Sequence, residues 1–299
     1  MESRTRGFLL VLLAALCLST VPPVLKVGLR EGADPLQLLA PRMILGAALL
    51  WLWVRLTRPQ RMHIDAAGLR DCAIAGGINA VSLLLFYVGL RRVDATVAVL
   101  VFSIYPVLLL LFLHLLGEHV TRRDLLRLGL AMAGVALVTG FGGSADLRGV
   151  AYLVACAALY TIYMLVVQTR LVRLPASTAA LWIVTFLTAG VLLMRPLVTS
   201  TEALDLAGWG VVLWSAVLGT AVARVATVEG IRAVGSAQTA LLLPVETVLS
   251  VTWAALFLGE RIHGLQALGA VLVIASVLLA TALRRRRTSY PVNQAAGTP

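Results

Sequence analysis

Three charged residues, Glu246, Arg42 and Arg224, lie inside long apolar stretches of this sequence. A charge near the centre of a bilayer costs roughly 2.5–3.5 kcal/mol on insertion scales, so each of them needs a partner or a function. A carboxylate in such a place can exchange a proton or bind an amine. An arginine can bind a carboxylate through both oxygens, because its guanidinium is a planar fork. The three residues therefore predict a site for a zwitterion, with its carboxylate on Arg42 and its amine on Glu246, or a gate in which Glu246 changes partner.

Each charge also has a structural interpretation, and these alternatives are open at the level of sequence. Glu246 can be tied permanently to Arg42 or Arg224. Either arginine can instead extend its side chain to the nearer membrane interface.

Helical spacing adds polar and aromatic residues to the predicted site. Asn79 and Ser82 share one face of a helix, and Trp253 lies on the same face of its helix as Glu246. For the aromatic residues, packing or anchoring at the interface is the alternative. The predicted substrate-binding residues are Glu246, Arg42, Arg224, Asn79, Ser82, Tyr160 and Trp253.

The composition indicates that this site lies within a membrane. The chain is 60% hydrophobic and 13% charged, which excludes an ordinary soluble domain. Its apolar runs do not alternate with polar residues, so they predict helices rather than barrel strands. The formal charge of +11 is spread over loops and the tail, which argues against a nucleic-acid partner. We predict an all-α membrane protein with ten transmembrane helices, near 7–28, 36–55, 71–90, 95–116, 124–141, 149–169, 176–196, 207–228, 236–258 and 264–283.

The chain also repeats itself. Gly117-Glu118 and Gly259-Glu260 each end an apolar run, and Arg6-Gly7 recurs as Arg148-Gly149, both at a spacing of 142 residues. Two five-helix repeats, 1–142 and 143–285, are therefore predicted, followed by a disordered cytoplasmic tail, 286–299. Because five is odd, the second repeat is inverted relative to the first, a common plan in transporters. The Gly-Glu endings are expected to cap a neighbouring helix or to pair with loop arginines.

Basic residues are concentrated in the segments that a cytoplasmic N-terminus places inside, so both termini are predicted to lie in the cytoplasm, with the protein in the inner membrane. The N-terminus also resembles a secretory signal. The repeat argues against its removal, since a cleaved first helix would leave the sixth helix without a counterpart.

Ten helices in two halves, each half with a Gly-Glu ending, resemble the EamA-type transporters of the drug/metabolite transporter superfamily. The resemblance covers the chain to about residue 283 and implies secondary transport, by export or exchange, of small metabolites such as amino acids. The family often has Glu-Pro where this chain has Glu246-Thr247, and an aromatic residue where it has Arg224. These departures suggest a site unlike that of better-known members.

Motifs of other classes are absent from the sequence. There is no phosphate-binding loop with lysine, no His-Glu-x-x-His zinc pattern and no Gly-x-Ser-x-Gly turn, so we predict no enzyme, no cofactor and no metal. The expected partners are a small-molecule substrate, membrane lipid and a coupling proton. The alternatives are an efflux transporter of drugs or organic cations, a membrane-embedded enzyme that modifies lipids, and a regulatory protein.

Overall fold

The computed structural model describes residues 2–105, 146–171, 173–194, 204–226 and 243–260, together with Leu108, Phe112 and parts of 126–137 and 264–275. Within this part of the chain, every regular element is helical.

The first part of the chain contains five helices. They are α1 (Glu2–Ser19), α2 (Val21–Arg30), α3 (Pro35–Thr57), α4 (Ala66–Arg92) and α5 (Ala95–Phe102). A single 3₁₀ turn, Pro59–Met62, lies between α3 and α4. Asp34 begins α3 with a capping box, and Asp65 begins α4 by accepting a hydrogen bond from the Gly68 amide.

The second half of the described chain contains four longer or interrupted helices. They are α6 (Leu147–Arg170), α7 (Ala176–Leu193), α8 (Leu206–Trp214) and α9 (Leu243–Leu258). A π-helical segment, Ser215–Val222, continues α8 directly. π-helical turns are rare and often occur at functional sites.

Five described stretches are long and apolar enough to span a membrane: Thr5–Arg30, Pro35–Thr57, Ala66–Arg92, Leu147–Val167 and Leu206–Ala226. Two shorter apolar helices, Ser177–Leu193 and Glu246–Leu258, accompany them. The prediction of an all-helical chain is confirmed for the described residues. Parts of the spans predicted near 95–116, 124–141, 236–258 and 264–283 lie outside those residues, and the tail lies wholly outside them, so the count of ten stays a prediction.

One predicted span differs in form. The first span is divided at Thr20 into α1 and α2, since Pro22 and Pro23 occupy the first turn of α2, where a missing amide hydrogen is tolerated. Such a division leaves backbone groups near Ser19 available to other helices.

The fourth helix is the centre of the packing, since it lies against both α6 and α7. At Gly76 a Cβ atom would come within 2.6 Å of the Phe186 Cβ and 2.8 Å of the Ile183 carbonyl oxygen, so this glycine lets α4 and α7 approach closely. Tyr87 and Leu90 of α4 and Leu153 of α6 are completely buried between these helices.

Candidate functional site

Glu246 lies in the first turn of α9 and is half-buried. Among the residues that the structure describes, none donates a hydrogen bond to its carboxylate. One turn further on, the Ser250 hydroxyl donates to the Ser19 carbonyl oxygen (2.7 Å), and the Trp253 indole donates to the Ser19 hydroxyl (3.1 Å). The face of α9 that carries Glu246 is thus attached to the interruption between α1 and α2.

A second interruption lies against the same helix. The α5 helix ends at Phe102, and the next hydroxyl, that of Ser103, is 3.0 Å from the Thr247 hydroxyl. Interrupted helices place backbone polar groups near the middle of a membrane, where transporters use them to bind ions and substrates. Glu246 therefore stands beside two such interruptions.

Arg42 lies in α3 and is only 7% exposed. Its Nη1 donates to the Tyr87 hydroxyl (2.8 Å), and its Nε donates to the Thr220 hydroxyl (3.3 Å). Within the described part of the chain, no carboxylate lies within ion-pair distance of its guanidinium. These contacts hold the Arg42 side chain among α3, α4 and the π-helical segment.

The π-helical segment fits closely around this arginine. A Cβ atom at Gly219 would lie 3.2 Å from the Arg42 Nη2 and would collide with the Val21 side chain. Val21 begins α2, so Arg42 borders the same interruption that Ser250 and Trp253 contact from α9. Arg42 and Glu246 are thus linked through residues 19–21, although no direct contact between them is described.

Aromatic rings form a connected cluster between α4, α5 and α6. Tyr160 is at its centre, with ring centroids 5.2 Å from Phe102, 4.9 Å from Tyr105 and 5.3 Å from Tyr163. Phe86 joins the cluster through Phe102 (5.6 Å).

Of the predicted site residues, Tyr160 belongs to this aromatic cluster. Arg224 is half-buried in the helical turn that follows the π-helical segment. Among the described residues, no hydrogen bond or ion pair joins Arg224 to Glu246 or to Tyr160, so their convergence stays a prediction.

The other predicted residues divide into two groups. Asn79 is 7% exposed on α4, and the described residues provide no hydrogen-bond partner for its amide. The Ser82 hydroxyl, in contrast, donates to the Cys156 carbonyl oxygen (3.0 Å) and joins α4 to α6. Trp253 stacks on Phe257 (5.5 Å) and binds Ser19, so its contacts are those of a packing residue.

The hydroxyl groups around the charges were missed by sequence reasoning. Tyr87 and Thr220 hold Arg42, and Ser19 and Ser103 mark the interruptions beside α9. The available signal was a hydroxyl within an apolar run, but this signal recurs too often to single out four residues.

The predicted role of the Gly-Glu ending is confirmed at Glu260. Gly259 has φ +64°, a left-handed conformation that suits glycine, and turns the chain after α9. The Glu260 carboxylate then accepts hydrogen bonds from the Ala95 amide (2.8 Å) and the Thr96 amide (3.0 Å), so it caps α5. Arg30 lies 3.5 Å from the same carboxylate. Glu118, its predicted counterpart, lies outside the described residues.

Lys26 of α2 also contacts the connection between α4 and α5. Its ammonium donates to the carbonyl oxygens of Leu90 (2.7 Å) and Val93 and so caps the last turn of α4. We call the set Lys26, Arg30, Asp94 and Glu260 the first latch, because it fixes the α4–α5 connection to α2 and to the end of α9.

A second charged cluster lies at the opposite end of α4. The Asp71 side chain is 7% exposed and lies 3.3 Å from the Arg173 guanidinium, 3.7 Å from that of Arg170 and 3.4 Å from that of Arg70. Because Arg170 and Arg173 belong to the end of α6 and the loop that follows it, this second latch joins α4 to α6. The two latches therefore lie at opposite ends of α4.

Long apolar helices, internal charges and interrupted helices define the class of an α-helical, multi-pass membrane protein. A family model described as "EamA-like transporter family" matches residues 5–140 and again 147–282. The chain belongs to this family of membrane transporters.

A relative from Bacillus subtilis (strain 168), named "Uncharacterized transporter YcbK", is 26% identical over 276 residues, which cover 88% of each chain. A solved structure titled "Crystal structure of protein" superposes with a TM-score of 0.61 at 21% identity, covering 96% of this chain and 99% of the other. The structural match shows a shared fold. The family and the curated relative point to a transporter rather than an enzyme.

Proposed function

We propose that this protein is a secondary active transporter that exports or exchanges small zwitterionic metabolites, amino acids among them, across the inner membrane. The two family matches fit the predicted repeats 1–142 and 143–285, with the second inverted and the tail 286–299 and both termini in the cytoplasm. Access to the site alternates between the two ends of the bundle, which the two latches close.

The observation that carries this proposal is the state of Arg42. A guanidinium that is 7% exposed within a membrane protein, held by two hydroxyls and lacking a described carboxylate, is preorganised for a bound anion. Glu246, half-buried beside the same helix interruption, supplies the opposite charge for an amine or a proton. Asn79, Tyr160 and Arg224 complete the proposed site.

The test is counterflow and proton-driven uptake in proteoliposomes with a panel of amino acids and related metabolites. The wild type is compared with Glu246→Gln, and with Glu31→Gln as a control for an exposed carboxylate. If Glu246 couples protons, Glu246→Gln loses accumulation but keeps counterflow. If Glu246→Gln matches the wild type in both assays, the acid is structural and the proposed site is misplaced.

The aromatic cluster favours a second candidate, an efflux transporter of organic cations. Ring faces attract cations, and five rings pack together in this cluster. This function predicts transport of apolar cations that survives Arg42→Gln and is lost in Glu246→Gln. The zwitterion transporter instead predicts weaker amino-acid transport in Arg42→Gln.

A further inference from the structure

A cleft of about 480 Å³ opens between the beginning of α3 and the end of α4. It lies apart from the candidate transport site, since neither Arg42 nor Glu246 contributes to its wall. Its lining residues are Asp34, Pro35, Leu36, Leu84, Val88, Arg91 and Arg92.

The lining changes from charged to apolar along α4. Arg91 and Leu84 are seven residues apart, which is about 10 Å at the rise of an α-helix. Arg91 and Arg92 lie in the last turn of α4, at the depth expected for lipid headgroups, whereas Leu84 and Val88 lie deeper. Val81, on the same helical face, is 38% exposed, so this face belongs to the outer surface of the bundle.

The mouth of the cleft offers a cation. Arg91 is exposed, and no carboxylate in the described part of the chain forms an ion pair with it. Its neighbour Arg92 lies 2.9 Å from Asp146. Asp34 contributes a carboxylate to the wall, and that carboxylate accepts a hydrogen bond from the Leu36 amide (2.9 Å).

The backbone beneath these arginines is fixed. Lys26 binds the carbonyl oxygens of Leu90 and Val93, on either side of Arg91 and Arg92. A phosphate that contacts Arg91 would therefore meet a guanidinium on a rigid helix end, which lowers the entropy lost on binding.

We propose that this cleft binds a membrane phospholipid, with its phosphate on Arg91 and Arg92 and an acyl chain along Leu36, Leu84 and Val88. A bilayer supplies this occupant at the right depth, since the cation lies at the headgroups and the apolar wall faces the hydrocarbon. The lipid is a ligand distinct from the transported substrate, so this proposal goes beyond the transport function.

The test is photocrosslinking in phosphatidylcholine vesicles that contain a phosphatidylglycerol with a photoactivatable acyl chain, followed by peptide mapping. In the wild type, crosslinks should map to the start of α3 and the end of α4. Arg91→Gln should lower the yield there by about tenfold, as expected for loss of a charge-assisted hydrogen bond. Val88→Trp, which fills the cleft and leaves both arginines in place, should lower it as well.

Arg61→Gln is the matched control, since Arg61 is an exposed arginine in the 3₁₀ turn at the other end of the bundle. Equal yields in Arg91→Gln, Arg61→Gln and wild type would overturn the proposal. Competition by inorganic phosphate at equal concentration would also overturn it, because it would indicate a site for a free anion. Displacement of the lipid by the transported substrate would overturn it too, because it would assign the cleft to the transport path. If Val88→Trp does not fold, the comparison of Arg91→Gln with Arg61→Gln is enough to test the proposed lipid site.

Discussion

Arg42 is the residue whose surroundings restrict its role most. Its guanidinium is buried. Among the described residues it donates hydrogen bonds only to hydroxyl groups, those of Tyr87 and Thr220. Neither partner neutralises the charge, and a buried charge without a counter-ion is costly. An anionic group on the substrate would provide the missing charge.

Substitution of Arg42 should therefore act on the carboxylate of the substrate. Arg42→Gln should raise the KM for an amino acid by roughly tenfold or more, the size expected for a hydrogen bond to a charged group, and should leave transport of the corresponding amine unchanged. Tyr87→Phe should have a smaller effect in the same direction. The measurement is counterflow of matched substrates with and without the carboxylate, with Arg55→Gln on the same helix as control. Equal losses for both substrates would contradict the assignment.

Asp146 provides a pH-dependent contact outside the membrane. The hydrogen bond from Arg92 and then that from the Arg148 amide lower the pKa of its carboxyl group below the ordinary value. A lowered pKa stabilises the folded state above the ordinary carboxyl pKa of about 3.9, and this contribution is lost as pH falls through the folded pKa. The residue is exposed, so its effect is small.

Asp146→Asn should therefore lower the midpoint of thermal unfolding slightly at neutral pH. The difference from wild type should shrink below about pH 4 and disappear once the pH is below the lowered pKa of folded Asp146, where both proteins carry a neutral side chain. The measurement is thermal unfolding of both proteins in detergent, from neutral pH to acid. A difference in the midpoint that persists in acid would show that Asp146 acts through something other than its charge.

At the scale of elements, the π-helical segment is an interruption that hydropathy does not reveal. Gly219→Ala should disturb it, because the added methyl group meets Val21 and the Arg42 side chain. Overpacking of this kind costs about 1–3 kcal/mol, so both transport and thermal stability should fall. Gly210→Ala on α8 is the matched control, since a Cβ atom there meets nothing within 4 Å. Similar behaviour of the two variants would mean that the close fit is unimportant.

The Glu260 cap is a second element-scale contact that can be tested. Glu260→Gln removes the charge at the N-terminus of α5 and one of the two amide contacts, with an expected cost of about 0.5–2 kcal/mol. The thermal midpoint should fall by a few degrees, whereas Glu31→Gln, at an exposed position near the same end, should have no effect. If both variants unfold like wild type, the cap contributes no stability.

How much the sequence predicts depends on whether a feature is local. The capping role of Glu260 follows from residue chemistry and spacing, and it was predicted. The hydroxyls around Arg42 were not, because periodicity does not reveal which helices are neighbours. The α4 helix begins at Ala66, five residues before its predicted span, because Asp65 caps it and hydropathy does not register a cap.

At the scale of the whole molecule, the two latches lie at opposite ends of α4. The first joins α2 and the α4–α5 connection to the end of α9 through Glu260, and the second joins α4 to α6 through Asp71. If access alternates, each latch must open while the other stays closed. Weakening one latch should then shift the population toward the state that is open at that end.

Cys72 offers a built-in reporter for this coupling, since it follows Asp71 and is completely buried. In a background with Cys17→Ala and Cys156→Ala, Asp71→Asn should speed the reaction of Cys72 with a maleimide. Glu260→Gln should slow it, because opening at the far end favours closure at this one. A change of about 1 kcal/mol in the balance alters the populations about fivefold. Arg61→Gln, at an exposed arginine in the 3₁₀ turn that precedes α4, is the control for a local charge effect. Faster labelling in Glu260→Gln would show that the two ends loosen together, which is incompatible with alternating access.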